Sequence, residues 1–204
     1  SDMIEGDYLE FGVYLGDSFS SAYHSIKKAY SNLSVESVHN SKQDCIDRVK
    51  CWENMRFFAF DSFQGLPKPS GVDAQEDSGK YFSEGKYAVQ TDSFINNIRF
   101  MGVPLDRVKI VPGWFNESLV DSTVKKYNIK HAAIVHIDCD FYESTQLVLD
   151  FIKPLLVDGS IIIFDDWFTY KGSPRLGEQR AFKEWQEKNP EWIVKEYQKY
   201  GICK

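Results

Sequence analysis

Hydrophobic positions recur along this chain in two rhythms. Short apolar runs rich in β-branched and aromatic residues alternate with longer stretches in which apolar residues return every third or fourth position. The short runs predict strands, the longer ones amphipathic helices. Residues 8–14 predict a first strand, and Gly16-Asp17-Ser18 opens a helix to about Tyr30 with Ser18 as its N-cap. The polar tract 31–54 predicts a loop with a short helix around 44–52. A second strand spans 56–60 and ends at Asp61. Residues 61–85, dense in Gly, Pro, Ser and Asp, predict a long surface loop of the kind that is functional or disordered. Then follow a helix at 91–101, a strand at 108–111, a helix at 117–127, a strand at 132–137, a helix at about 144–156, a strand at 160–164 and a helix at 176–188. A closing strand at 192–195 pairs with 200–203, and no internal repeat or low-complexity segment interrupts the order.

This alternation predicts an α/β fold: a mostly parallel central sheet with helices on both faces and a C-terminal antiparallel strand. Such sheets bind ligands at the carboxyl ends of their strands, where the strand order reverses. Gly12, Gly16, Asp61, Pro112-Gly113-Trp114, Asp138, Asp140, Asp165 and Asp166 all fall on that one edge. At 204 residues, residues 3–204 predict a single domain with a sizeable core, and Ser1-Asp2 before Met3 resembles a tag scar. A net charge of −6 and a pI near 5.3 argue against general nucleic-acid binding, which needs a basic face. No apolar run is long enough to span a bilayer and no signal peptide is evident. The cysteines at 45, 51, 139 and 203 form no CxxC pair and read as reduced thiols of a cytoplasmic protein, although Cys45 and Cys51 could bridge by spacing.

Two acidic clusters carry the candidate chemistry. Asp138-Cys139-Asp140 ends one apolar run and Asp165-Asp166 ends another. On neighbouring strands these carboxylates meet, and crowded carboxylates hold a hard divalent cation or tune a proton transfer. Alternatively, each acid caps the helix that follows its strand. The turn Glu10-Phe11-Gly12-Val13-Tyr14-Leu15-Gly16 lets a ligand approach the backbone closely. It lacks the third glycine of a dinucleotide fingerprint and no P-loop lysine follows. Asp61, at the end of the second strand, is placed to accept hydrogen bonds from ribose hydroxyls or to cap its own turn. A glycine turn and an acid on successive strands describe a nucleoside site, and the missing phosphate signature favours S-adenosylmethionine.

Five segments together resemble a known family: Tyr8-Leu9-Glu10-Phe11-Gly12-Val13, Phe60-Asp61-Ser62-Phe63-Gln64-Gly65-Leu66-Pro67, Val111-Pro112-Gly113-Trp114-Phe115, the stretch from Ile137-Asp138-Cys139-Asp140 to Ser144-Thr145, and Asp165-Asp166. The chain is similar, from about residue 6 to 190, to the macrocin O-methyltransferase (TylF/MycF/NovP-like) family. The resemblance implies a Rossmann-like class I methyltransferase fold, S-adenosylmethionine, and a divalent cation, Mg²⁺ or Mn²⁺. It implies a hydroxyl acceptor on a sugar or glycosylated natural product. It also implies Asp138, Asp165 and Asp166 as metal ligands, Asp138 and Asp140 as catalytic, with Asp140 as base. Cofactor contacts follow at Glu10, Gly12, Gly16, Ser18, Asp61, Ser62, Gly113, Trp114 and Asp138, under a mobile lid formed by the loop after Asp61. The family usually carries a helical N-terminal extension that helps build a dimer. Here the first strand begins almost at once, so a homodimer and a domain cut from a larger enzyme are both open expectations.

His136 shares the facing of Asp138 and competes as a base, although a lone His in a strand is more often a satisfied core residue. Tyr142, Trp167, Phe168 and Tyr170 could face a ligand beside Trp114, and Lys171 and Arg175 could meet a phosphate on the acceptor or be ordinary solvated charges. Three rival readings stand beside this: a metal-dependent Asp-x-Asp glycosyltransferase, a haloacid-dehalogenase-type phosphatase, which wants its Asp-x-Asp on the first strand, and a non-catalytic adenosyl-binding module.

Overall fold

A computed structural model describes residues 4–33, 42–75 and 82–199. Five strands form one sheet: β1 (Asp7–Phe11), β2 (Phe57–Asp61), β3 (Val108–Pro112), β4 (Ala132–Ile137) and β5 (Ile161–Phe164), in the order β3-β2-β1-β4-β5 and all parallel. Every residue of β1 is buried, as are the first four of β2. These strands carry continuous apolar runs because both faces are covered. Alternate side chains feed two cores. Leu9, Phe11, Phe58, Phe60, Val135 and Ile137 pack against α7 (Tyr142–Ile152) and α8 (Gly177–Lys188). Tyr8, Phe57, Ala59 and Ala133 pack against α1 (Asp17–Leu33) and α4 (Thr91–Phe100) through Phe19, Tyr23, Phe94 and Ile98.

The amino edge is tied by Arg56. Its guanidinium donates to Asp7 Oδ1 at 3.0 Å and to the Tyr127 and Asn128 carbonyls at 2.6 and 3.0 Å, joining β1 and β2 to the end of α6 (Asp121–Tyr127). The carboxyl edge is shaped at the reversal between β1 and β4. Gly12 has φ +88°, and a Cβ there would lie 1.8 Å from the Asp138 carbonyl oxygen. Only glycine lets the two strand ends come this close.

Several elements depart from the sequence expectations. The first strand stops at Phe11 because Gly12 and Tyr14 (φ +43°) turn the chain. Ser18 lies inside the first turn of α1 and is not its N-cap; its hydroxyl donates to Glu10 Oε1 at 2.6 Å. The polar tract contains the full helix α2 (Lys42–Asn54), and the long loop contains a short one, α3 (Gly71–Gln75). The helix expected at 117–127 is split into α5 (Phe115–Ser118) and α6, with extended backbone at Val120 between them. Residues 192–199 form no strand. Trp192 packs against the core, but Ile193 and Tyr197 beyond it are 87% and 93% exposed, and the expected partner at 200–203 lies outside the described residues. Among the described residues the sheet therefore has no antiparallel strand, and no helix is long and apolar enough to cross a membrane. Cys51 and Cys139 are buried free thiols, and the side chain of Cys45, the other half of the bridge allowed by spacing, lies outside the described residues.

Gly12→Ala should cost well over 3 kcal/mol, about the upper range for a single substitution, because the clash is with backbone. Gly85→Ala, also at positive φ but with nothing within 4 Å, should cost about 1 kcal/mol. Urea unfolding of the two variants measures the contrast, and equal losses would remove the special role given to Gly12.

Candidate active site

A cavity of about 1120 Å³ opens at the carboxyl edge of the sheet. Its walls come from the β1 turn (Gly12, Val13, Tyr14), the β2 end and following loop (Asp61, Ser62, Lys68, Lys86, Tyr87), the β3 end (Trp114), and the ends of β4 and β5 (Asp138, Asp140, Asp165, Asp166). Asp61 holds the glycine turn. Its Oδ2 accepts from the Val13 N–H at 2.8 Å and its Oδ1 from the Phe63 N–H at 2.7 Å. Ser62 Oγ donates to the Gly65 carbonyl at 2.9 Å and accepts from the Gln64 N–H, closing the next turn.

The four aspartates sit where β4 and β5 end side by side. The Asp165 N–H donates to the Ile137 carbonyl and the Asp138 N–H to the Phe11 carbonyl, which fixes three strand ends in one register. Burial, then the neighbouring Asp165 and Asp166, pushes Asp138 up to about 8. Burial, then the neighbouring Asp166 and Asp138, raises Asp140 well above the carboxylate range, and burial raises Asp166 as well. Asp166 Oδ1 accepts from Thr169 Oγ1 at 2.9 Å, while its Oδ2 is buried without a hydrogen-bond partner.

Beneath the cavity, Glu10 is fully buried and bonded by the Tyr8 and Ser18 hydroxyls. It lies opposite His136 in the β1–β4 register. His136 sets Nδ1 3.6 Å from Glu10 and Nε2 3.7 Å from Asp165. Burial opposes its charge, but Asp165 and Glu10 outweigh that and push it up to about 10. Non-glycine residues in left-handed backbone gather here too: Tyr14, Tyr87, Asp140, Tyr170 and Lys171 all line the cavity. Strain of this kind concentrates at functional sites.

The family profile described as Macrocin-O-methyltransferase (TylF) matches residues 45–190, which include Asp61 and all four clustered aspartates. The chain belongs to this family. It is 27% identical over 169 residues to the 8-demethyl-8-(2,3-dimethoxy-alpha-L-rhamnosyl)-tetracenomycin-C 4'-O-methyltransferase of Streptomyces olivaceus, covering 82% of this chain and 55% of that protein. It is 28% identical over 170 residues to the mycinamicin III 3''-O-methyltransferase of Micromonospora griseorubida, covering 81% and 57%. The chain thus spans little more than half the length of these curated relatives. Among solved structures, the O-methyltransferase NovP shares the fold with a TM-score of 0.64 at 21% identity, over 90% of this chain and 64% of that one. The calicheamicin methyltransferase CalS11 gives 0.61 at 24%, over 89% and 64%.

Against the TylF family pattern, the residues expected at the site divide into two groups. Gly12, Asp61, Ser62, Trp114, Asp138, Asp140, Asp165 and Asp166 line the cavity; Glu10, Gly16, Ser18 and Gly113 lie behind its lining. Gly16 faces the core, where a Cβ would meet Ile98 and Phe94 at 2.5 and 2.8 Å. Tyr142 donates to Glu184 and Trp167 packs on Phe164 and Phe182, so neither reaches the cavity, whereas Phe168, Tyr170 and Lys171 do. Arg175 does not line it.

Glu178, 1% exposed and unbonded at both oxygens, was not anticipated. It lies behind the aspartates, whose charge adds to burial in raising it well above the carboxylate range. The signal was present in its helical spacing with the buried Ala181 and Trp185. An all-carboxylate donor set with an unpartnered Asp166 Oδ2 suits a hard divalent cation. The side chains are gathered but not closed on a common point, and no three His, Cys, Asp or Glu form a metal-holding group among the described residues.

Raised values make stability fall with pH. Asp138, lifted from 3.8 to about 8, leaves stability untouched below 3.8 and lowers it progressively up to about 8. His136, lifted from 6.5 to about 10, adds stability below 6.5 that is lost as pH rises through about 10. In a chelator, thermal melts should therefore fall steadily from about pH 6 to about pH 9. Asp138→Asn should flatten part of that slope and melt higher at the alkaline end. A flat profile for the parent protein would contradict the crowding of these carboxylates.

Proposed function

We propose that this chain carries out S-adenosylmethionine-dependent O-methylation of a hydroxyl on a sugar or glycosylated natural product, assisted by Mg²⁺ or Mn²⁺. One observation carries the reading: in a TylF family chain, the glycine turn of β1 and the aspartates of β4 and β5 face one cavity across the reversal of strand order. The relatives named above, and the demethyldecarbamoylnovobiocin O-methyltransferase of Streptomyces niveus, bear names of the same reaction type. Family membership also favours methyl transfer over the glycosyltransferase reading.

When bound, the cofactor supplies an activated methyl group and the cation supplies positive charge that acidifies a nearby hydroxyl. Gly12, Val13 and Asp61 form the wall suited to the adenosyl moiety, with Trp114 offering a flat face. Glu10 and Ser18 support that wall from beneath, and Gly16 and Gly113 shape its turns. Asp138, Asp165 and Asp166 are assigned to the cation. Asp140 is assigned to take the acceptor's proton. Its crowded, buried surroundings raise its affinity for protons, and positive charge reaching its neighbours would favour the ionised form that a base needs. Positioning the acceptor oxygen in line with the methyl group supplies much of the remaining rate. The reduced state of Cys51 and Cys139 accords with the cytoplasm as the working compartment.

Calorimetric titration of S-adenosylhomocysteine, with Mg²⁺ and then with chelator, is the direct test. Micromolar binding in both conditions is expected, and absence of binding in both would return the glycosyltransferase reading to the front. Asp165→Ala should weaken Mn²⁺ binding, read by the free Mn²⁺ resonance, by about tenfold or more while leaving adenosylhomocysteine affinity within about threefold. Unchanged Mn²⁺ binding would remove Asp165 from the ligand set.

A further inference from the structure

Three lysines line the cavity whose floor is acidic: Lys68, Lys86 and Lys171. They come from two separate loops in a protein of net charge −6. Lys86 lies over the rings of Phe82 and Tyr87, and its charge acts on Asp140. Among the described residues no carboxylate forms an ion pair with Lys68 or Lys171.

The backbone beneath two of these lysines is fixed in advance. Lys68 stands between Pro67 and Pro69, and all three line the cavity. Proline fixes its own φ and restricts the residue before it, so this stretch is stiff. Lys171 sits in a left-handed run, Tyr170 at φ +57°, Lys171 at +58° and Gly172 at +67°. Each non-glycine residue there is in a backbone conformation that persists only where the surroundings impose it. The run is held by Tyr170, whose hydroxyl donates to the Asp140 carbonyl at 3.2 Å and whose ring packs 5.9 Å from Phe82. Gly177 makes room, since a Cβ there would meet that ring at 2.7 Å. A lysine that only solvates a surface needs no such support. Prearranged backbone is what lowers the cost of gripping a ligand. The volume allows for one: 1120 Å³ exceeds the roughly 300–1,000 Å³ that a single small ligand commonly fills.

We propose that Lys68 and Lys171, with Lys86 on the wall of the same cavity, bind a phosphate or diphosphate carried by the acceptor sugar, so that the substrate class is a glycosyl phosphate. The inference rests on the methyltransferase reading for the word acceptor, and on the lysines alone for the anion. The negative floor would repel such a substrate, and lysines on the rim offset that repulsion while the sugar reaches inward. A soluble nucleoside-diphosphate sugar and a lipid-linked glycosyl phosphate share this chemistry.

The test is titration of uridine diphosphate and of inorganic pyrophosphate into the full chain saturated with S-adenosylhomocysteine and Mg²⁺. Both should bind. The double variant Lys68→Gln/Lys171→Gln should weaken both by about tenfold and show a shallower salt dependence, with adenosylhomocysteine affinity unchanged. Uridine diphosphate binding much more tightly than pyrophosphate would support the nucleotide form, and equal binding the bare phosphate of a lipid-linked form. Failure of both anions to bind, or equal binding by the double variant, overturns the proposal. Should adenosylhomocysteine itself not bind, the methyltransferase reading fails. The anion titration, run on the protein alone, still decides the lysine site by the same criteria.

Discussion

The carboxyl edge depends on how closely β1 and β4 approach where the strand order reverses. Gly12 passes against the Asp138 carbonyl with no room for a Cβ, and the Asp138 N–H is bonded to the Phe11 carbonyl. That contact sets the height of Asp138 relative to the glycine turn. The parallel register then sets Asp165, whose N–H bonds to the Ile137 carbonyl one strand further on. Asp61 closes the other side by holding the Val13 amide from β2. The floor of the cavity is therefore set by strand ends, while the loops after β2 and β5 supply much of its remaining wall.

This spacing has an electrostatic cost. Asp138, Asp140, Asp166 and Glu178 are all raised, with burial as the largest cause and their mutual repulsion added to it. A folded protein retains such crowding only when something offsets it. His136 supplies part of the offset from below and Lys86 part from above. Glu178 has no hydrogen bond at either oxygen, and burial with the charge of the neighbouring aspartates raises it well above the carboxylate range. Stability and site chemistry thus pull in opposite directions at one sheet edge.

Much of this was legible in the sequence because it is carried by short-range patterns. The apolar runs ending in Asp61, Asp138 and Asp165 place their acids at strand ends whatever the rest of the chain does, and alternation with helices makes those ends coincide. The β3 end was read equally well, with Trp114 on the cavity wall. What was not legible depends on contacts distant in sequence. Ser18 resembles a cap by its neighbours, yet its hydroxyl is claimed by Glu10 from the adjacent strand. Gly16 resembles a ligand-approach glycine, yet Phe94 and Ile98 of α4 are what leave it no room for a side chain. The antiparallel strand at 192–195 failed because β propensity without a buried face does not hold a strand. Lys68 and Lys86 were invisible because a lysine in a long loop has no pattern to betray which cavity it faces.

The same accounting distinguishes the two candidates for the base. His136 shares the facing of Asp138, and on spacing alone it could reach an acceptor. Its two nitrogens instead lie between carboxylates, Glu10 on one side and Asp165 on the other, and it does not line the cavity. Pushed up to about 10, it is charged at neutral pH and has no lone pair to offer. His136 is better understood as the counter-charge set between Glu10 and Asp165. On the proposed reading, the base is a group that faces the cavity and whose affinity for protons is set by the charges around it, and Asp140 meets both conditions.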